Sequence, residues 1–258
     1  MPRKRSKARP WYVDFFRQGF YYRSWAPPDR FQQTEQEVEF IVQVLRLPPG
    51  AAILDLCCGQ GRHTMALAQQ GFQMTGLDLS ALHLRLARRT AKEAGVNVRW
   101  HRADMREIPW EREFDTAINM FTSFGYLESE EEDQKVLDGV ARSLKPGGRF
   151  LIDTINWQWE TRRHRSPMRQ ELPDGALYEW RTEIDLEQGR RRQYEVVTEE
   201  DGAKHEYVAE TRLYSLEELS EMLQAAGLAF CRVWGDYGGH EYSLDSPRMI
   251  VLAEKVEG

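Results

Sequence analysis

Apolar and polar positions along the first 155 residues follow the order of alternating strands and helices. Five short apolar runs indicate strands, and the stretches between them repeat apolar residues with a helical period of about 3.6. The predicted strands cover residues 51–56, 73–79, 96–101, 114–120 and 149–155. Strands that alternate with helices form open, largely parallel sheets with helices on both faces. The pattern therefore predicts an α/β fold.

Two sequence signals predict where helices begin. Thr34 is followed three residues later by Glu37, and Ser215 by Glu218, and each pair precedes a periodic apolar stretch. Both pairs have the pattern of a capping box, in which two side chains satisfy backbone N–H groups at a helix start. A proline and paired glycines at 145–148 are expected to separate a helix from the fifth strand.

The pattern changes after residue 156. Three runs rich in β-forming residues, at 178–186, 192–198 and 207–214, are separated by turn residues and indicate hairpins. They interrupt the alternation, so we interpret 160–213 as an antiparallel β insertion. It either caps a substrate site or forms a ribbon without ligand contact. The core is then 34–159 with 214–258, and residues 1–33 are an N-terminal segment that could cover a cofactor.

Composition places the chain among ordinary globular proteins. Its 258 residues are 41% hydrophobic and 29% charged, which excludes a disordered or fibrous chain. No uncharged apolar run approaches the roughly 18 residues of a membrane span, and no apolar signal core follows the basic start. Three cysteines form neither a disulfide framework nor a C-x-x-C motif. We expect a cytoplasmic protein without a metal.

The charge balance bears on the kind of partner. There are 35 Lys and Arg residues against 41 Asp and Glu, a formal net charge of −6, so the average surface repels polyanions. The first ten residues carry five basic side chains and no acid. This segment is either a solvated terminus or an arm that binds nucleic acid.

A glycine-containing turn follows the first predicted strand and leads into a helix. Gly59 and Gly61 suit a sharp turn whose backbone must approach a ligand closely, next to the unpaired N–H groups of a helix start. Asp78 closes the next strand, where a carboxylate can accept hydrogen bonds from a ribose diol. The nicotinamide fingerprint G-x-G-x-x-G fails because Thr64 occupies its third glycine position.

These residues belong to an ordered set of motifs that resembles class I S-adenosylmethionine-dependent methyltransferases between about residues 38 and 155. The motifs are Leu54-Asp55-x-x-x-Gly59-x-Gly61, Leu77-Asp78, Ala103-Asp104-Met105, Phe114-Asp115 and Leu144-Lys145-Pro146-Gly147-Gly148-Arg149. The resemblance implies a Rossmann-like, mostly parallel sheet of seven strands. It also implies that the last strand, at about 249–254, runs antiparallel to the others.

The resemblance implies S-adenosylmethionine as the cofactor and assigns residues to it. The loop after Asp55 would cradle the methionine part, Asp78 would hold the ribose, and Asp104 with Met105 would meet the adenine. The predicted cofactor site consists of Tyr22, Gly59, Gly61, Asp78, Leu79, Asp104, Met105 and Asn119. Tyr22 is either a cofactor contact or a core aromatic. Asp55 either ties down the loop or touches the ligand, and Cys57 stands where the family often has glycine.

The exit of the fourth strand is similar to that of small-molecule N-methyltransferases, including enzymes that methylate sugar amines. Tyr126 lies near the place of a polar ring residue in those enzymes, and His240 follows two glycines in a loop. We predict both as candidate proton acceptors near the transferred methyl group, with bulk water as the alternative acceptor. His240 is either such an acceptor or merely exposed. Met120 and Phe121 replace the prolines of the Asp/Asn-Pro-Pro-Tyr/Phe signature, which disfavours a nucleic-acid substrate.

The function predicted from the sequence is methyl transfer to a nitrogen or oxygen of a small molecule by direct in-line displacement. The choice between nitrogen and oxygen stays open, as does the oligomeric state, for which a homodimer is one candidate. One alternative is an RNA or protein methyltransferase that docks through the basic N-terminus and the basic segments 162–165 and 190–192. A second alternative is a cofactor-binding scaffold without turnover.

Overall fold

Eleven strands in two sheets and seven helices make up the part of the chain that the computed structural model describes, residues 10–17, 33–163 and 167–256. The helices are α1 (Trp11–Arg17), α2 (Thr34–Leu45), α3 (Arg62–Gln69), α4 (Ala81–Glu93), α5 (Glu130–Ser143), α6 (Trp157–Arg162) and α7 (Leu216–Ala225). The strands are β1 (Ala52–Leu56), β2 (Gln73–Asp78), β3 (Arg99–Arg102), β4 (Phe114–Asn119), β5 (Leu144–Ile155), β6 (Met168–Glu171), β7 (Leu177–Asp185), β8 (Arg190–Thr198), β9 (Lys204–Arg212), β10 (Leu228–Trp234) and β11 (Arg248–Lys255).

The larger sheet has seven strands in the order β10-β11-β5-β4-β1-β2-β3. Strands β1 to β5 pair in parallel, whereas β11 is antiparallel to both β5 and β10. The predicted mostly parallel, seven-stranded sheet with an antiparallel last strand is therefore confirmed. The chain leaves β1 toward β2 on one side and returns at β4 on the other, which leaves a crevice beyond the carboxyl end of β1.

Helices cover both faces of this sheet, as the alternation of apolar residues requires. Ile53 of β1 packs with α2 and α3, whereas its neighbours Leu54 and Leu56 pack with α5 and α7 on the opposite face. This follows from the period of two in a strand, which sends successive side chains to opposite sides. No helix in the described part of the chain combines the length and the apolar character needed to span a membrane.

The predicted insertion forms a separate antiparallel sheet in the order β6-β7-β8-β9. The β7–β8 and β8–β9 hairpins agree with the sequence pattern. Strand β6 was not predicted, because its four residues are all exposed and carry no alternation of apolar and polar positions. The insertion meets the core at the loop after β4, where the Arg212 backbone N–H donates to Gly125 O at 2.7 Å.

The first predicted capping box is wrong, although the second is confirmed at Ser215 and Glu218. Helix α2 begins at Thr34 after Gln33, which makes no side-chain cap. Glu37 instead binds Arg62 and His63 of α3, because a buried carboxylate gains more from two cationic or N–H partners than from a backbone cap.

The fifth strand begins earlier than predicted. Strand β5 starts at Leu144, and the proline and glycines at 145–148 form an irregularity in its pairing with β4 rather than a loop before the strand. Lys145 reaches back to Asp115 of β4 at 2.6 Å, which holds this irregular start against the sheet.

Candidate active site

A cavity of about 340 Å³ opens at the carboxyl ends of β1, β2 and β4. Its volume lies within the range of small-molecule sites in proteins. The wall is built from the turn after β1, the start of α4, the loops after β3 and β4, and one side of α1. The cavity therefore occupies the crevice that the strand order creates.

The turn after β1 depends on a glycine at position 61. Gly61 has a φ of +77°, and a Cβ at this position would lie 2.4 Å from the Trp100 ring. Both the left-handed backbone and the missing side chain are therefore required. Cys57 also adopts a positive φ, 61°, with its sulfur 3.6 Å from Met105 Sδ. The cysteine thus holds a backbone conformation that glycine adopts more readily.

Asp78 is buried at the end of β2 and holds two backbone N–H groups. Its Oδ2 accepts from Gly59 at 2.9 Å, and its Oδ1 accepts from Ser80 at 2.7 Å. Burial raises the pKa of Asp78 to about 6 against the opposing effect of these hydrogen bonds. Each carboxylate oxygen has a further lone pair, so the group can still accept from a ligand. Leu79 follows it on the cavity wall.

Asp55 and the two adjacent cysteines form the floor beneath the turn. Asp55 accepts a hydrogen bond from the Thr64 hydroxyl of α3, and burial raises the pKa of the carboxyl. The residue also lines the cavity, so it can tie down α3 and face a ligand at once. Burial raises the pKa of each thiol, Cys57 and Cys58, well above the ordinary value. Both thiols are therefore protonated, as expected for packing residues rather than nucleophiles.

Arg62 is a cavity residue that sequence reasoning missed. Its guanidinium donates to Glu37 and to Thr34 Oγ1, and Glu37 also bonds His63 Nε2 at 2.7 Å. The Nη2 atom of Arg62 is buried and has no hydrogen-bond partner among the described residues. A fixed cation with a spare donor suits an anionic group of a ligand. The pairing of Glu37 with α3 is tertiary, so the local pattern indicated only a helix cap.

Asp104 and Met105 line the cavity at the exit of β3. Asp104 accepts from the side chain of Arg106, with Oδ2 2.8 Å from Nη2. Burial alone would raise the pKa of Asp104, but the hydrogen bonds from Arg106 outweigh it and lower the pKa. The carboxylate is therefore ionised and held in one orientation.

Charges of both signs meet in the cavity wall. The carboxyl groups belong to Asp55, Asp78 and Asp104, and the guanidinium groups belong to Arg17, Arg62, Arg85 and Arg102. This mixture suits a ligand that carries both cationic and anionic groups. Within residues 10–17, 33–163 and 167–256, no three His, Cys, Asp or Glu side chains are arranged to hold a metal ion.

Helix α1 closes one side of the cavity with aromatic side chains. Tyr12 and Phe16 line the cavity, and the Phe16 ring meets the buried His83 ring edge to face at 5.6 Å. Desolvation by burial lowers the pKa of His83 to about 4, so its ring is neutral at physiological pH. Sequence reasoning placed an aromatic contact at Tyr22, which lies outside the described residues.

The candidate proton acceptors are separated in the structure. Tyr126 lines the cavity and packs against Trp11 of α1, with ring centroids 5.0 Å apart. His240 lies on an exposed loop with a side chain that is 79% accessible, and its Nδ1 is 2.9 Å from Asp236. His240 is not among the described residues that line the cavity, and its backbone N–H also donates to Asp236 Oδ1. The geometry gives His240 no support as a proton acceptor.

Asn119 does not line the cavity either. It is buried at the end of β4, and its Nδ2 donates to Leu56 O at 3.0 Å. The amide therefore ties β4 to the end of β1 beneath the turn. Of the predicted cofactor residues in the described part, Gly59, Asp78, Leu79, Asp104 and Met105 lie on the cavity wall, and Gly61 shapes the turn beside it.

Comparisons with known proteins agree with this architecture. Residues 53–148 match the family described as "Methyltransferase domain". A putative methyltransferase of Bacillus subtilis is 29% identical over 222 residues, which cover 81% of this chain and 86% of that protein. The dTDP-3-amino-3,4,6-trideoxy-α-D-glucopyranose N,N-dimethyltransferase of Streptomyces venezuelae is 32% identical over 108 residues, covering 42% of this chain and 44% of that enzyme.

A solved structure shares the fold over most of the chain. The amino pentose methyltransferase of Micromonospora echinaspora, solved with bound S-adenosylmethionine, superposes with a TM-score of 0.69 at 22% identity. The alignment covers 88% of this chain and 94% of that one.

Proposed function

We propose that this chain, which belongs to the S-adenosylmethionine-dependent methyltransferases, transfers the methyl group to a nitrogen or oxygen of a small molecule. The observation that carries this proposal is the buried Asp78 carboxylate, which faces the cavity while the N–H groups of Gly59 and Ser80 fix its orientation. A carboxylate fixed in this way can accept hydrogen bonds from a ribose diol, and the glycine turn beside it lets the rest of the ligand approach the backbone closely.

The residues of the cavity fit the parts of the donor. The turn through Gly59 and Gly61 would lie against the methionine part, where the guanidinium of Arg62 has a spare N–H donor for its carboxylate. Asp78 would accept from the ribose hydroxyls. Asp104 and Met105 would meet the adenine, the first by hydrogen bonding and the second by packing.

When bound, S-adenosylmethionine supplies an activated methyl group, and its transfer to a nitrogen or oxygen leaves S-adenosylhomocysteine and releases a proton. The chain's part is to align the acceptor and exclude water. Phe16 of α1 provides an aromatic face at the cavity, and such a face favours a sulfonium cation. The Tyr126 hydroxyl is the group on this wall that we propose to relay the released proton, accepting a hydrogen bond from the acceptor while its own proton passes to solvent.

The ion pairs made by the basic segment 190–192 favour a small-molecule acceptor over RNA. Each of its arginines pairs with a carboxylate of this chain: Arg190 and Arg192 with Glu210 at 3.3 and 3.2 Å, and Arg191 with Glu160 at 2.7 Å. A guanidinium already paired offers less to a phosphate. The curated name of the Streptomyces venezuelae relative specifies an amino sugar, which makes a sugar amine our first candidate acceptor.

The test is transfer of labelled methyl from S-adenosylmethionine to three acceptors in parallel: a dTDP-3-amino sugar, a catechol and bulk RNA. We expect label on the amine or on the catechol oxygen, at a rate nearly indifferent to salt. Preferential labelling of RNA that weakens steeply between about 50 and 200 mM salt would instead identify a nucleic-acid methyltransferase. Donor binding without labelling of any acceptor, including a whole metabolite extract, would support the scaffold alternative.

Donor affinity should depend on pH through Asp78. A carboxyl with a pKa of about 6 is about nine-tenths ionised at pH 7 and about one-tenth ionised at pH 5. Because the ionised form accepts both ribose hydrogen bonds, affinity for S-adenosylhomocysteine should rise roughly tenfold from pH 5 to pH 7. Calorimetry across this range measures the effect. Asp78→Asn should remove most of the slope, and a flat wild-type profile would contradict the ribose role.

A further inference from the structure

A buried ion pair lies outside the cavity, behind the loop that follows β4. Asp153 of β5 is fully buried and receives two parallel hydrogen bonds from Arg248 of β11, Nε to Oδ1 at 2.8 Å and Nη2 to Oδ2 at 2.7 Å. Such fork-to-carboxylate pairing fixes the orientation of both groups. The pair spans two strands at the end of the sheet nearest the cavity.

The same aspartate holds the backbone of the loop. The Phe121 N–H donates to Asp153 Oδ2 at 2.8 Å, and the Thr122 N–H donates to Asp153 O at 2.9 Å. The Tyr237 hydroxyl also donates a hydrogen bond to Asp153 Oδ2, and Arg248 Nη2 donates to Thr122 Oγ1 at 2.9 Å. Asp153, Arg248 and Tyr237, which we name the β4-exit clamp, therefore bind two consecutive residues of the loop.

The loop needs this support because its backbone is unfavourable. Phe121 has a φ of 64° and Thr122 a φ of 58°, so two successive residues with side chains occupy the left-handed region. This region is disfavoured for L-residues, above all for a β-branched one such as Thr122. Residues held in this way persist only where the surrounding structure fixes them, and such places cluster at functional sites.

The strained residues lead directly into the cavity wall. Phe121, Ser123 and Tyr126 line the cavity from the β4 side, whereas Asp78 and Asp104 line it from the β2 and β3 side. The clamp thus acts on the wall opposite the residues that we assign to the ribose and adenine. Its position points to the acceptor rather than to the ribose and adenine of the donor.

We propose that Asp153, Arg248 and Tyr237 are positioning residues that fix the wall formed by residues 121–126 for the methyl acceptor, with no share in donor affinity. This inference rests on the proposed function for the identity of the wall's ligand. Two parts of the proposal can be tested without an acceptor: whether the clamp fixes the conformation of the wall, and whether weakening the clamp leaves donor affinity unchanged.

The chain contains a matched control for a purely structural role. Arg149 and Glu254 form an ion pair across the same two strands, Nε to Oε2 at 3.1 Å, toward the opposite end of β5. Glu254→Gln therefore weakens β5–β11 pairing without touching the loop. Tyr237→Phe is the mildest clamp variant, because it removes one hydroxyl and keeps the ion pair.

The experiment compares Asp153→Asn, Tyr237→Phe and Glu254→Gln with the wild type in three measurements. These are calorimetric affinity for S-adenosylhomocysteine, hydrogen exchange at the Phe121 and Thr122 amides, and kcat and KM for an acceptor that the wild type methylates. For Asp153→Asn we expect exchange at least about tenfold faster, acceptor kcat/KM reduced about tenfold or more, and donor affinity within about twofold of the wild type. Tyr237→Phe should show the same split with smaller changes, and it decides the question if Asp153→Asn does not fold.

The proposal is overturned if donor affinity falls as much as acceptor turnover, if exchange at Phe121 and Thr122 is unchanged, or if Glu254→Gln reproduces the effects. A wild type that methylates no small molecule would overturn the proposed function instead. In that case the exchange and affinity measurements still decide whether the clamp fixes the wall independently of the donor.

Discussion

Replacing Asp78 by alanine is expected to weaken binding of both S-adenosylmethionine and S-adenosylhomocysteine by roughly 5- to 150-fold, equivalent to about 1–3 kcal/mol. The substitution removes the charged acceptor proposed for two ribose hydroxyls. It also releases the N–H groups of Gly59 and Ser80, which Asp78 holds at 2.9 and 2.7 Å. The turn thereby loses its fixed position, so both effects act in the same direction. Calorimetric titration with each ligand measures the loss.

Asp115→Ala is the matched control for this prediction. Asp115 is also a strand residue, in β4. Its carboxylate accepts a hydrogen bond from the Ala52 backbone N–H at 2.8 Å and pairs with Lys145. It is not among the described residues lining the cavity. Its replacement should therefore lower stability while leaving affinity unchanged. Equal affinity losses in the two variants, or none in Asp78→Ala, would remove the ribose assignment.

Gly125→Ala is expected to lower the free energy of unfolding by about 3 kcal/mol or more. Gly125 has a φ of +94°, and a Cβ there would lie 2.3 Å from Arg212 O. The clash is with backbone, and Arg212 N–H donates to Gly125 O at 2.7 Å, so β9 cannot withdraw without breaking this contact. The loop after β4 and the insertion must therefore separate. Urea unfolding gives the energy change.

Gly71→Ala separates the steric clash from backbone strain. Gly71 has a φ of +91°, close to that of Gly125, but no atom lies within 4 Å of the Cβ position. Its substitution should cost only about 1–2 kcal/mol, the price of the left-handed backbone. If the two variants lose the same stability, the close contact between Gly125 and Arg212 has no energetic role.

The parts of the site that the sequence predicted lie at strand ends. Asp78 and Gly61 could be located because a residue that closes a buried strand, or turns the chain after it, has its position fixed by the sheet. The sheet itself followed from local apolar periodicity, which needs no knowledge of distant contacts. The last strand's direction came from the family resemblance, since no local pattern distinguishes an antiparallel β11 from a parallel one.

What the sequence did not predict depends on contacts between distant segments. Glu37 resembles a helix cap locally, yet Arg62 and His63 bind it from another helix. Asn119 lies at the predicted strand end, but its amide is directed to Leu56 O. His240 follows flexible glycines, and Asp236 holds it at the surface. In each case a partner far away in the fold, or the local loop geometry, determines where the side chain lies.

Helix α1 contacts three parts of the molecule at once. Its Phe16 meets His83 of α4, its Trp11 meets Tyr126 after β4, and its Phe15 meets Tyr207 of the insertion at 5.9 Å. A ligand that leaves between α1 and the rest of the cavity wall must open these aromatic contacts. Because one short helix makes all of them, we expect product release and partial detachment of the insertion to be a single kinetic event. The rate of product release would then depend on the same aromatic packing that positions Tyr126.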